Sequence, residues 1–289
     1  MRLKVFVFVL FIGCISASAQ RFPGGQPGSV PANRRYPHVC FNSLECAAPP
    51  VGLAVWYRFE SNNNNDDDNA RNYRPSIGYG VGALRHGPGV VGQGIELNGV
   101  GSYVYVFGTP AFPPPSFGDP LWLPEIGFFD EEFSVAVWFK TSNKDFQVAP
   151  ILEQRSESPA GYLLVLNGGR PAFQLAAPVR FPGDLGHSSW ITTTPDLRDG
   201  EWHHVVVSVD RTSSTGGLFY VDGALALTFD PTPYEGRHLE NFAPLLIGRH
   251  MDGSLWKGSI DEVMIIQKAL DAAEVQRLWN VRNQPLCPC

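Results

Sequence analysis

The sequence predicts an all-β fold: an antiparallel β-sandwich of jelly-roll type, closed by one short C-terminal helix. Three observations carry this expectation. Short apolar runs alternate with polar residues at a two-residue period, most cleanly in Phe133-Ser134-Val135-Ala136-Val137-Trp138-Phe139-Lys140, and that spacing lines one face of a strand. Asp222-Gly223 sits between two such runs and marks a two-residue hairpin, because Gly tolerates the positive φ such turns require. Gly and Pro punctuate the chain throughout, and helical periodicity is scarce until its end.

Met1-Arg2-Leu3-Lys4 is a short basic segment, followed by an apolar run from Val5 to Ile12 and by Ala17-Ser18-Ala19. This is the pattern of a secretory signal peptide over residues 1–19, its apolar run too short for a permanent membrane helix. Residues 20–50 are rich in Pro, Gly, Arg and Asn without apolar period, as expected of an extended tail. Globular character is predicted for residues 51–281, beginning with the strand Leu53 to Glu60, whose Leu53, Val55, Tyr57 and Phe59 share a face. The polar run Asn62 to Asn69 is expected to be a surface loop.

Further strands are predicted at Gly94–Leu97, Ser102–Phe107, Phe133–Lys140, Gly161–Leu166 and Ala172–Leu175. The last group covers Trp202–Asp210, Leu218–Val221, Ala224–Thr228, Leu245–Ile247 and Ser259–Ile266. Pro110 to Pro124 and Ala176 to Pro195 are expected to be long excursions between strands. Asp271 can cap a helix whose Glu274 reaches back to it, a capping box, with Val275, Leu278 and Trp279 forming the apolar face. Residues 282–289 form a short cysteine-containing tail.

Cys14 leaves with the signal peptide, so Cys40, Cys46, Cys287 and Cys289 remain, an even set in an oxidising compartment. Four cysteines allow three pairings. A bridge between Cys287 and Cys289, one residue apart, would be strained, which favours two bridges joining the N-terminal pair to the C-terminal pair. A zinc site built from the same residues is the alternative, and the secretory signal weighs against it.

Without Arg2 and Lys4 the chain carries 20 basic and 28 acidic residues. An acidic secreted protein repels nucleic acid and anionic membranes, which leaves extracellular proteins, cations and glycans as partners. No membrane anchor is expected, since no later stretch is long and apolar enough. No Asn-x-Ser/Thr acceptor for N-glycosylation occurs.

Five segments in order resemble the laminin G-like modules of the concanavalin A-like lectin/glucanase superfamily. They are Trp56-Tyr57-x-Phe59-Glu60, Gly92-Gln93-Gly94-Ile95-Glu96-Leu97-Asn98-Gly99, Phe133 to Phe139, Gly200-Glu201-Trp202-His203-His204-Val205, and Gly258-Ser259-Ile260-Asp261-Glu262-Val263 with the helix after it. The resemblance implies a concanavalin A-like sandwich. The Asp-Ser-Ser-Gly-Asn-like turn that usually follows the first strand in the family is not reproduced by Asn69 to Ser76.

The resemblance also implies one structural calcium ion between first and last strands, carried onto Glu60 and Asp261, with Asn62 and backbone carbonyls completing an oxygen shell suited to Ca²⁺. Asp66-Asp67-Asp68 reads as a solvated charge run. His203 and His204 are adjacent on a strand and so point to opposite faces, a poor metal pair. Hydrolases of this superfold alternate carboxylates along one strand to bring nucleophile and acid to one face. Here Asp130-Glu131-Glu132 and Asp261-Glu262 are consecutive, and no Gly-x-Ser-x-Gly or His-Glu-x-x-His occurs.

The expectation is therefore a secreted, non-catalytic binding, adhesion or extracellular-matrix protein, with a mineralised matrix as one setting. Its alternative is a soluble glycan-binding lectin that stacks sugars on Tyr103, Tyr105 or Tyr162, although each of the three also suits a core. A diverged glycoside hydrolase comes last.

Overall fold

The computed structural model describes residues 46–60, 65–67, 77–81, 84–106, 132–155, 160–179, 181–182, 186–239, 243–283 and 285–287. The strands are β1 (Leu53–Tyr57), β2 (Asn65–Asp67), β3 (Ile77–Val81), β4 (Arg85–Pro88), β5 (Gln93–Asn98) and β6 (Tyr103–Val106). Next come β7 (Glu132–Lys140), β8 (Val148–Arg155), β9 (Gly161–Asn167), β10 (Arg170–Ala176) and β11 (His187–Ile191). The chain ends with β12 (Trp202–Asp210), β13 (Gly217–Val221), β14 (Ala224–Phe229), β15 (Leu245–Ile247), β16 (Lys257–Ile266) and helix α1 (Ala272–Trp279).

These strands form the two antiparallel sheets of a concanavalin A-like sandwich. The first runs β14-β13-β12-β7-β16-β5-β4, with β1 also paired to β16. The second runs β11-β10-β9-β8-β15-β6-β3-β2. Val135, Val137, Phe139, Val205 and Ile260 from the first sheet meet Ile151, Leu164, Phe173 and Ile247 from the second in one continuous core. Alternation along β7 thus does what the sequence pattern demands: odd positions fill the space between the sheets.

The inner even positions of β7, Ser134, Ala136 and Trp138, are buried too, on the side of α1. Trp138 stacks on Trp279, with ring centroids 5.0 Å apart, and Ala136, Val206 and Met264 pack against Val275 and Leu278. Asp271 accepts from the Glu274 backbone N–H while the Glu274 side chain accepts from that of Asp271, so the capping box is present. Ser134 Oγ donates to the Lys268 carbonyl at 2.7 Å, and Ser208 Oγ to that of Leu270 at 2.9 Å. Two buried hydroxyls therefore fasten the segment entering the helix. Trp202 is only half-buried, at the edge of this outer cluster.

Several segments differ from the expectation. Asn65–Asp67, inside the expected polar loop, pairs with β3 at the sheet edge, where backbone bonding needs no apolar side chain. The excursion from Ala176 to Pro195 contains β11, which pairs with β10 and turns Trp190 inward onto Phe229. β8 was not evident because Pro150 interrupts it; the register shifts between Pro150 and Leu152, a bulge of the kind that accommodates proline in a sheet. Asp222 and Gly223 adopt φ of 51° and 78°, the two positive values of a type I′ hairpin turn.

Cys46 is bonded to Cys287, with Cα atoms 5.1 Å apart. Beside the bridge Ala47 pairs in parallel with Leu286, through Ala47 N–H to the Pro285 carbonyl and Cys287 N–H to the Ala47 carbonyl. Cys40 and Cys289 lie outside the described residues. No helix among the described residues is long and apolar enough to cross a membrane.

Candidate functional sites on the two sheets

β16 is shared along one edge by two strands. β5 pairs with Lys257 to Ile260 and β1 with Val263 to Ile266. Between them the register against β7 shifts from Asp261 to Met264. Ile260 and Val263 both face the common core, so the bulge turns the two intervening residues, Asp261 and Glu262, to the outer side. Glu262 has a φ of 49°, a conformation rare for a non-glycine residue and concentrated at functional sites and tight turns.

Both carboxylates are buried. Asp261 holds the β4–β5 turn: its Oδ2 accepts from the backbone N–H of Val90 at 2.8 Å and Val91 at 3.2 Å, and its Oδ1 from Glu262 at 2.8 Å. Glu60 reaches the same turn, accepting from Gln93 N–H at 3.1 Å. Glu262 Oε2 accepts from Trp56 Nε1 at 2.7 Å. Arg58 lies over the Trp56 ring, 3.6 Å from Glu60 Oε1 and 4.0 Å from Glu262 Oε1. Burial, helped by the neighbouring Glu262 charge, pushes the Asp261 pKa up to about 8, against the pull of its three backbone donors. Burial likewise pushes Glu262 up to about 7, opposed by the Trp56 hydrogen bond and the Arg58 charge.

The expected pair Glu60 and Asp261 is thus brought to one turn, while Asn62 lies outside the described residues. Glu262 and Arg58 belong to the cluster and were not anticipated. Among the described residues no three His, Cys, Asp or Glu side chains converge as a ready metal cage. Yet Glu262 Oε1 is buried without a hydrogen-bond partner, and the two carboxylates of Glu60 and Glu262 share the single guanidinium of Arg58, with Asp261 beside Glu262. An all-oxygen, charge-deficient set of this kind suits a hard cation.

The outer face of the second sheet carries the other polar cluster. Glu153 on β8 is fully buried. Its Oε1 accepts from Arg155 Nε at 2.9 Å and its Oε2 from Met251 N–H at 2.8 Å, which pins the turn after β15 onto the sheet. Arg155 Nη1 donates to Gln174 Oε1 at 3.1 Å, and Nη2 meets His250 Nε2 at 3.2 Å. Leu246 is paired with both Glu153 and Tyr105, so Tyr105 stands in the same cross-strand row, two strands away. Tyr103, on the same face of β6, lies under the Arg249 guanidinium at 4.5 Å. Of the three tyrosines considered for sugar stacking, Tyr103 and Tyr105 are half-buried on this face, whereas Tyr162 is wholly in the core. Glu153-x-Arg155 alternates on a strand, a same-face signal readable in the sequence once β8 is recognised.

The two histidines part as expected. His203 lies between Asp222 (Nδ1 to Oδ2, 2.9 Å) and Asp199 (Nε2 to Oδ1, 3.1 Å). His204 stacks on Trp138 with centroids 4.8 Å apart. Glu132, the described member of Asp130-Glu131-Glu132, is exposed at the start of β7.

Residues 118–276 match the model of the Laminin_G_3 family, described as concanavalin A-like lectin/glucanases superfamily. Solved structures share the fold at low identity. The binding domain of Paraclostridial Mosquitocidal Protein 1 is 16% identical with a TM-score of 0.58, over 79% of this chain and 52% of that one. The binding domain of botulinum neurotoxin DC in complex with rat synaptotagmin II is 12% identical, with a TM-score of 0.58 over 80% and 52%. A structure of botulinum neurotoxin type C, whose cell entry is dependent upon interaction with two ganglioside molecules, is 14% identical, with a TM-score of 0.59 over 80% and 51%. The chain thus spans about half the length of these structures. No curated protein matches it in sequence.

Proposed function

This chain belongs to the Laminin_G_3 family of the concanavalin A-like lectin/glucanases superfamily, and on that footing we propose that it is a secreted, non-catalytic binding protein of the extracellular matrix. The observation that carries this reading is the outer face of the second sheet. There a polar array anchored on buried Glu153 stands beside half-buried Tyr103 and Tyr105. A set of half-buried donors and rings held on strands is suited to recognition, because its side chains are ordered before a partner arrives. On the other sheet Asp261 is committed to backbone N–H groups and Glu262 to Trp56. The consecutive pair is thereby tied into the scaffold rather than aimed at a shared substrate position.

The partner is an extracellular protein or glycan. The structural relatives include a toxin domain bound to synaptotagmin and a toxin whose cell entry depends on gangliosides; at their low identity they support the fold, and the partner class is our proposal. The half-buried tyrosines favour the glycan-binding variant of this reading. The test is to apply the secreted chain to arrayed matrix proteins and glycans, with a reducing-sugar assay alongside. Saturable binding without turnover is expected. Turnover of a polysaccharide, or binding to no member of either array, would sink the proposal.

A structural calcium ion is part of the same proposal. Glu60 and Asp261 would hold it, with Asn62 and the free oxygen of Glu262 as further ligands, and its charge would neutralise carboxylates that Arg58 alone does not balance. It ties chain ends together and has no chemical role. An ion binding only the folded state stabilises it by about 2.7 kcal/mol at a hundredfold excess over Kd. Melting temperature should rise with millimolar Ca²⁺, and Asp261→Ala should remove most of the increment. An unchanged melt in verified calcium-free protein would make these carboxylates turn clamps only.

A further inference from the structure

Resting on the binding reading above, we infer that Arg155 is the carboxylate-recognition point of an acidic-glycan site on the outer face of the second sheet. The argument begins with how this guanidinium is held. A side chain serving only as the countercharge of a buried carboxylate engages it side-on, through Nε and one terminal nitrogen together. Here Glu153 takes Nε alone, because its second oxygen is occupied by the Met251 N–H. Gln174 Oε1 then takes one N–H from Nη1, and Nη2 stands 3.2 Å from His250 Nε2, which accepts from it only in the Nδ1–H tautomer. At most three of the five guanidinium N–H groups are used, and at least one remains on each terminal nitrogen. That pair is the fork that binds a carboxylate through two parallel hydrogen bonds.

The surroundings select the class of ligand. The Arg155 side chain retains 18% of its surface and His250 retains 20%, so the fork is reachable yet held by Glu153 and Gln174 and needs little further ordering on binding. The Gln174 Nε2 amide and the exposed Ser189 hydroxyl, opposite each other on β10 and β11, offer partners for sugar hydroxyls. On the other flank Tyr105 stands two strands from Glu153, about 10 Å at the usual strand spacing, the reach of a short oligosaccharide rather than one ring.

Local charge narrows the class further. Arg155 and Arg249 flank the site, and Asp252, with 60% of its side-chain surface exposed, is already engaged by the Ser254 N–H and by His250 Nδ1 at 3.3 Å. The chain as a whole carries a net charge of −6. A densely sulphated polymer would meet that overall repulsion, whereas a sugar bearing one carboxylate meets mainly the fork. Sialic and uronic acids supply the same group.

The experiment uses the full secreted chain and titrates 3′-sialyllactose and a hyaluronan tetrasaccharide, each beside its carboxyl-reduced form, with lactose as the neutral control. Binding of one or both acids is expected, weakened at least tenfold by carboxyl reduction, and the arm that binds identifies the sugar. Arg155→Lys keeps the charge facing Glu153 and removes the fork, so it should lose at least tenfold in affinity with an unchanged melting temperature. Gln174→Ala, which frees one side of the guanidinium without touching Glu153, should lose less. Equal affinity for reduced and unreduced sugars, or undiminished binding by a folded Arg155→Lys protein, overturns the site. So does binding of a matrix protein with no glycan bound, although the broader binding reading survives that result. Binding of neither class removes both.

Discussion

Replacing Cys46 and Cys287 with serine opens a covalent link between residues 241 positions apart. In the chain-entropy description a disulfide acts mainly on the unfolded chain, and its effect grows logarithmically with loop size. A closure this long corresponds to about 5 kcal/mol, and measured effects usually fall short, at roughly 2–4 kcal/mol. The folded state loses little by contact, because Ala47 N–H to Pro285 and Cys287 N–H to Ala47 hold the same two segments together. For a domain of this size each kcal/mol moves the midpoint by about 2–4 °C, so the expected drop is about 5–15 °C. The assay is calorimetry on three samples: oxidised wild type, the double serine variant, and wild type fully reduced with its thiols alkylated. If Cys40 and Cys289 form a second clamp, the variant keeps most of the closure and the reduced protein shows the full drop. A fully reduced protein melting within about 2 °C of the oxidised one would refute the loop-closure reasoning.

Two further outcomes follow from the packing. Gly92 has a φ of +54°, and a methyl group there would clash with the Glu60 carboxylate; Gly92→Ala should destabilise by about 1–3 kcal/mol through strain and a displaced Glu60, read as a lowered urea midpoint, whereas a midpoint equal to wild type would mean Glu60 is not held at the turn. Burial lowers the His204 pKa to about 3, so the stability of its neutral form is present above the unfolded value near 6.5 and is lost as pH falls from there towards 3. For His203 burial acts downward, but the Asp222 and Asp199 hydrogen bonds outweigh it and raise the pKa; its contribution is present below about 6.5 and is lost as pH rises through the raised value. His204→Phe should flatten the acid limb of the pH–stability curve and His203→Gln the limb above neutrality, and variants that leave both limbs unchanged would remove these assignments.

Much of the sandwich could be read from residue order because its signals are local. Phe133 to Lys140 alternates strictly, Asp222-Gly223 has one conformation compatible with a tight hairpin, and Asp271 with Glu274 forms a reciprocal cap needing nothing outside the helix. β8 was hidden because Pro150 breaks the period, and the bulge that tolerates it depends on the pairing with β9. The three-residue β2 exists through pairing with β3 and has no apolar signature of its own. In the acid cluster, Glu60 and Asp261 were legible by family resemblance. Glu262 was not, because consecutive residues on a regular strand diverge and a bulge formed against a distant partner makes these two converge. Arg58, stacked locally on the Trp56 ring, reaches Glu262 only once β1 has paired with β16.

That late pairing governs how the protein can be made. One edge of β16 receives β5 and β1 end to end, and its other edge receives β7. β16 is therefore the piece on which the first sheet converges, and it is the last of these strands in chain order. At roughly 5–20 residues per second, about 10–40 s separate the emergence of β1 from that of β16. Throughout that interval β1 and β5 lack the strand edge they share, while β7 can already pair with β12 along its other edge. A chain ending before Lys257 would lack the strand that joins β1 and β5 to β7, however many earlier strands it contained.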